Sequence, residues 1–156
     1  MNATSLLDVQ KMSGTAIRQT VRGKSKMFFY TSAPVVIPAI TGIVLGTIQT
    51  RVNIDGDAHF ICTGLSGQYL LSTGLRTMPQ LAAEPELQLQ EEGTGYLLFD
   101  RPQRWGLIVG TGKKHFRLDP PYFFPSRSTV LVTFNNPETV TFNVTITLSG
   151  YKLYLR

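Results

Sequence analysis

The sequence predicts an all-β fold, an antiparallel β-sandwich or jelly roll, with an extended or partly helical N-terminal arm. Three observations carry this expectation. From Thr139 to Ser149 polar and apolar residues alternate strictly, the pattern of a half-buried strand. Short strand candidates recur from Phe28 onward, separated by turn residues and without a βαβ rhythm. Threonine occurs 18 times and glutamate 5 times, a bias toward strands over helices. Hydrophobic residues make up 42% and charged residues 16% of the 156, which argues against disorder and suits one domain.

The N-terminal segment stands apart from the rest. Residues 1–30 carry a net charge of +4, and the remaining residues only +1. Arg18, Arg22, Lys24 and Lys26 supply most of the excess, and no aromatic precedes Phe28. Leu6, Val9 and Met12 recur near helical spacing, with Gly14 as a stop. Residues 1–27 therefore read as a basic docking arm, and 28–156 as a single β-sandwich domain. Such an arm can dock on an acidic protein surface, bind phosphates or membranes, or remain a solvated tail. Without aromatics between its charges, nucleic acid is the less favoured partner. No secretory signal is evident, and the apolar run Val35–Ile48 is too short for the ~20 residues of a membrane span.

The elements follow in order. Phe28–Tyr30 and Val35–Ile37 flank a turn at Thr31-Ser32-Ala33-Pro34. Between Gly42 and Ile54 one parity is apolar at Val44, Ile48, Val52 and Ile54. Asp55-Gly56 is a turn signal, so a hairpin to Ala58–Thr63 is expected. Tyr69–Ser72, Leu87–Gln90, Tyr96–Phe99 and Trp105–Val109 are further short strand candidates, and 76–86 reads as a loop. Val130, Val132 and Phe134 share one face of the next strand, and Asn135-Asn136-Pro137-Glu138 turns the chain. Val140, Phe142, Val144, Ile146 and Leu148 form the longest apolar row. Gly150 then permits a bend before a short terminal strand.

Chemical motifs fall short of a reaction. Cys62 is the sole cysteine, which excludes a disulfide framework and, with only His59 and His115, the usual zinc sites. Asn53-Ile54-Asp55-Gly56-Asp57 begins like a calcium loop, but position 12 is Gly64. Gly110-Thr111-Gly112-Lys113-Lys114 lacks the first glycine and the hydroxyl residue of a phosphate loop. His59 and Cys62 have opposite parities on an extended chain, so they point apart. Nothing places Glu91-Glu92 across a cleft from another carboxylate. No enzyme, metal or cofactor is expected. Tyr122, Phe123 and Phe124 sit between prolines in an expected extended loop, with Arg127 beside them. These four are the candidate interface residues of the domain, since aromatics and arginine are enriched at hot spots. Filling the core beneath a long loop is the competing role for the three aromatics.

Three segments carry a resemblance: APVVIPA from Ala33, PPYFFPSRSTVLVTFNN at 120–136, and VTITLSGYKLYLR from Val144. Together they resemble small β-sandwich virion proteins of tailed bacteriophages, the components attached to capsids or tails. The resemblance implies a non-enzymatic structural role as a capsid cement or decoration protein, often a homotrimer, with no cofactor. Its partners would be the major capsid protein or other virion proteins, and its place the virion, assembled in the host cytoplasm. Alternative roles are a glycan-binding receptor-recognition module of the tail, with an exposed tyrosine or Trp105 as stacking platform, or a head–tail or baseplate connector component. A nucleic-acid-binding barrel is favoured by the pI of 9.6 but weakened by charge confined to the arm.

Overall fold

The computed structural model describes residues 25–71, 84–109 and 115–154. Within them the elements run β1 (Ser25–Thr31), β2 (Val35–Ile37), β3 (Gly46–Asn53), β4 (Ala58–Leu71), β5 (Glu86–Glu91), β6 (Gln103–Arg104), α1 (Trp105–Ile108), β7 (Phe116–Phe124), β8 (Thr129–Asn136) and β9 (Phe142–Tyr154). The strands form two antiparallel sheets. One is ordered β1-β9-β4-β7, with β2 also on β9, and the other β3-β8-β5-β6.

The alternating rows explain the layering. Val130, Val132 and Phe134 of β8 and Phe142, Val144, Ile146 and Leu148 of β9 turn inward with almost no exposure. Leu87 and Leu89 of β5 and Phe60 of β4 join them, so each sheet buries one face against the other. β1 and β2 make one interrupted edge beside β9. Ser32 spans the interruption: its N–H donates to Ile146 O at 2.9 Å, and its hydroxyl accepts from Ile146 N–H at 3.2 Å. Taking β1 and β2 as one strand, the first pairs with β9, β3 with β8, β4 with β7, and β5 with β6. First joins last and each inner pair nests within it. That is a long hairpin rolled over on itself, a jelly roll.

Several expectations need correction. β3 and β4 are not a hairpin, because they lie in different sheets. Asp55-Gly56 reverses the chain, but each strand takes its partner from the longer apolar rows of β8 and β9. The separate strands expected at 58–63 and 69–72 are one strand of 14 residues. A bulge between Cys62 and Gly64 moves the inward set from Phe60 and Cys62 to Leu65, which hides the alternation. β9 likewise runs straight through Gly150, where a Cβ would sit 1.9 Å from Ile61 O on β4. Glycine is there for close approach, and no bend occurs.

The strand expected at 105–109 is a single helical turn. Trp105 and Ile108, three apart, point into the core, while Leu107 is exposed. Trp105 closes one end of the sandwich, edge-on to Tyr69 at 5.5 Å and tilted against Phe134 at 6.2 Å. Residues 96–99 contribute only the bridge Gln90↔Leu97. Tyr122–Phe124 is no loop: it ends β7 and pairs with Phe60–Cys62, since an edge strand tolerates the neighbouring Pro120 and Pro121. The Asp119–Pro120 peptide is cis. Finally, β1 begins at Ser25, so a boundary after residue 27 cuts a strand. Ser25, Lys26 and Met27 stand opposite Leu153, Lys152 and Tyr151. The change in composition at Phe28 falls inside the pairing, which is set by backbone and not by charge.

Candidate functional site

The two sheets present unlike outer faces. On the β3-β8 pair the outward residues, Leu131 apart, are a polar ladder. Thr47 donates to Asn135 at 3.1 Å, Gln49 to Thr133 at 3.1 Å, and Thr129 to Asn53 at 3.1 Å. Arg51 grips both carboxylate oxygens of Glu92 at 2.8–3.2 Å. Such cross-strand pairs suit a face turned to water. The other sheet differs. Met27, Tyr151, Ile61 and Phe123 lie side by side across β1, β9, β4 and β7, one row on the side away from the other sheet, with Ile61 and Phe123 buried there. Met27 is 55% and neighbouring Phe29 47% exposed. The Phe29 ring lies 5.9 Å from the His115 ring. His59 packs on Phe123 at 5.2 Å, and its Nδ1 accepts from Ser126 N–H at 3.0 Å.

Near the C-terminal end of β9 a lysine points inward. Even parity persists through Gly150 and places Lys152 on the inner side, 4% exposed. Its ammonium donates to Asp55 at 2.5 Å, reaches Asp57 at 3.4 Å, and stands 4.0 Å above the Phe28 ring. Burial alone would lower its pKa. Hydrogen bonds and charge from Asp55 and Tyr30 outweigh that and raise it, and the Lys152 bond holds the Asp55 carboxyl below its usual range. The Tyr30 hydroxyl accepts from Asp55 N–H at 3.1 Å, so the β3–β4 crossing is tied to β1 and β9 together.

The third feature is a cleft of about 840 Å³ where β7, the edge of one sheet, faces the segment after β5 of the other. Residues 91–96 form a tight turn. Glu91 N–H donates to Tyr96 O at 2.9 Å, Gly95 N–H donates to Glu91 O at 2.8 Å, and Gly95 has φ +71°. The turn presents the Tyr96 ring, 58% exposed, stacked on Tyr122 at 5.5 Å. Tyr122 in turn packs on Phe124 at 4.5 Å, Phe124 on Phe60 at 6.5 Å, and Phe60 on Tyr30 at 4.9 Å. A spine of rings thus joins the cleft to the Lys152 pair. Burial, and then the charges of Glu91 and Tyr96, push the Tyr122 hydroxyl up to about 12, so it stays protonated. Glu91 lines the cleft at 6% exposure and accepts a short hydrogen bond from the Thr94 hydroxyl.

The chain matches no family model, no curated protein and no solved structure. Its site residues therefore rest on geometry. Arg18, Arg22 and Lys24 lie outside the described residues, and Lys26 belongs to β1. The structure does not bring Tyr122, Phe123 and Phe124 together on one surface. Phe124 is fully buried in the core, Phe123 lies in the outward apolar row, and Tyr122 walls the cleft. Arg127 is exposed with φ +64°, its side chain lying over Gly56. Trp105, proposed as a stacking platform, is 5% exposed and closes the core. Cys62 is buried, its thiol pushed up to about 12 by burial. Among the described residues no three His, Cys, Asp or Glu side chains gather as metal ligands, and no helix is long and apolar enough to cross a membrane. Sequence reasoning missed Tyr96 and Lys152. The turn residues of Glu91-Glu92-Gly93-Thr94-Gly95 signalled the first; the even parity of β9, continued past Gly150, signalled the second.

Proposed function

We propose that this chain is a non-enzymatic structural protein of a tailed-phage virion, a cement or decoration protein that binds and stabilises the particle as a homo-oligomer. The observation that carries this reading is the exposed pair Met27 and Phe29 on the outward face of β1, beside Tyr151 and the buried Ile61 and Phe123, whereas the outer face of the β3-β8 pair is mostly threonines, amides and an ion pair. Neighbouring apolar side chains that reach the surface, as Met27 and Phe29 do, favour cover by another subunit, worth about 25 cal/mol for each Å² removed from water. A second copy of the chain is the occupant, in the trimer that the resemblance implies. The jelly roll adds support at the level of architecture alone, since viral capsid domains and lectins both use it. The basic residues Arg18, Arg22 and Lys24 supply the tether to an acidic particle surface, and that attraction weakens as salt rises.

Light scattering on the purified protein tests the reading. A trimer at micromolar concentration is expected, and Met27→Glu with Phe29→Glu should yield monomers of unchanged melting temperature. A wild-type monomer at that concentration overturns the subunit contact. Density-gradient fractions of particles from cells that carry the gene, probed with an antibody, test the location. Absence from the particle band overturns the virion role.

A further inference from the structure

We infer that the cleft beside Tyr96 is a binding site for a neutral saccharide, with one pyranose ring laid on the exposed face of Tyr96. This is independent of the subunit contact above, which uses the outward face of the sheet and not the seam between sheets.

Three features of the cleft support the assignment. First, its size of about 840 Å³ and its lining suit a small organic ligand, with aromatic and aliphatic walls from Phe99, Leu118 and Pro121 and a few polar groups. Second, the platform is fixed before any ligand arrives. The Tyr96 backbone is locked by its bond with Glu91, and one face of its ring rests on Tyr122, itself wedged against Phe124. A rigid aromatic loses little freedom on binding, which is what makes such a ring an effective anchor. Third, the polar groups select the chemistry. Glu91 is nine-tenths buried and keeps one carboxylate oxygen without a donor among the described residues, the other being taken by Thr94. Asp119 and Arg117 line the same cleft and are exposed.

A pyranose has one C–H-rich face that stacks on an aromatic ring and a rim of hydroxyls that both donate and accept. Two carboxylates accept from such hydroxyls, and the guanidinium donates to them. An anionic ligand meets two carboxylates against one cation and is disfavoured. A proline-rich peptide presents carbonyls that need donors, and here acceptors predominate.

The test uses the full chain and a panel of neutral oligosaccharides (gluco-, manno-, galacto- and N-acetylglucosamine hexamers) beside sialylated and sulfated glycans, read by NMR titration and calorimetry. Binding of at least one neutral hexamer at millimolar concentration is expected, weakened about tenfold or more by Tyr96→Ala and by less than about threefold by Tyr96→Phe. Glu91→Gln should weaken it severalfold while leaving the melting temperature close to wild type. Three results overturn the inference: no neutral hexamer binds at millimolar concentration, an acidic glycan binds more tightly, or Tyr96→Ala binds as wild type does. Because Tyr96 is largely exposed, its alanine variant is expected to fold, and the phenylalanine variant controls for the ring itself.

Discussion

Replacing Lys152 with methionine keeps an unbranched apolar side chain of similar length and removes the ammonium group. The lost contacts are the charge-assisted bond to Asp55 at 2.5 Å, the longer approach to Asp57 at 3.4 Å, and the cation over the Phe28 ring at 4.0 Å. A hydrogen bond to a charged group contributes ~1.5–3 kcal/mol, and a cation–π contact ~0.5–2 kcal/mol. Both must be discounted, because Asp55 and Asp57 are half exposed and regain water when the lysine is gone. The variant also escapes the cost of burying an ammonium. The upward direction of the lysine's pKa shows which side wins: the fold favours the charged form more than water does. The expected net loss is about 1–2 kcal/mol at neutral pH, or roughly 2–8 °C in melting temperature for a chain of this size. The difference should depend on pH in a defined sense. Asp55, held below its usual pKa, contributes stability above about pH 4 that is lost as pH falls through its folded value. Lys152, raised above its usual pKa, contributes stability below about pH 10 that is lost as pH rises through its folded value. Urea melts of wild type and variant between those limits should differ by a constant amount and converge in acid. A variant as stable as wild type at pH 7 refutes the reasoning, and Asp55→Asn should then show no coupling to it in a double-mutant cycle.

Gly150→Ala forces a Cβ to within 1.9 Å of Ile61 O and should cost about 1–3 kcal/mol, measured by denaturant midpoint. Val144→Asp buries a carboxylate among apolar side chains and should unfold the domain, whereas Asn143→Asp, one residue away on the outer face, should be nearly silent by circular dichroism. The Cys62 thiol, fully buried with a pKa near 12, should resist a water-soluble thiol reagent at pH 8 and react at once in denaturant.

The C-terminal strands were legible because nothing interrupts their period. β8 and β9 obey the alternation from Thr129 onward, and β2 coincides with Val35–Ile37. β4 was not, because a bulge shifts its parity at Cys62 and a reader of alternation stops there. The partner of β3 was misjudged for a different reason. A turn is local chemistry, but pairing depends on which apolar row lies opposite once the sheets stack. The cleft shows the same divide. Its turn is written in Glu91–Tyr96, yet the ring on which Tyr96 rests comes from β7 in the other sheet. Tyr122, Phe123 and Phe124 do not act as one group, since on a strand Phe123 and Phe124 face opposite ways.

The nested pairing of the jelly roll has a consequence for synthesis. Ser25 stands opposite Leu153, and β9 lies between β1 and β4. A ribosome makes β1, β2 and β4 long before the strand that joins them. Until β9 emerges, Tyr30, Ile37 and Phe60 have no complete sheet to bury them, and the inner edges of β1 and β4 remain open. Contacts so distant along the chain slow folding and prolong the exposure of unpaired edges. The five-stranded sheet therefore closes only once β9 has been made: its halves stand apart until then, and the thirteen residues of β9 join them.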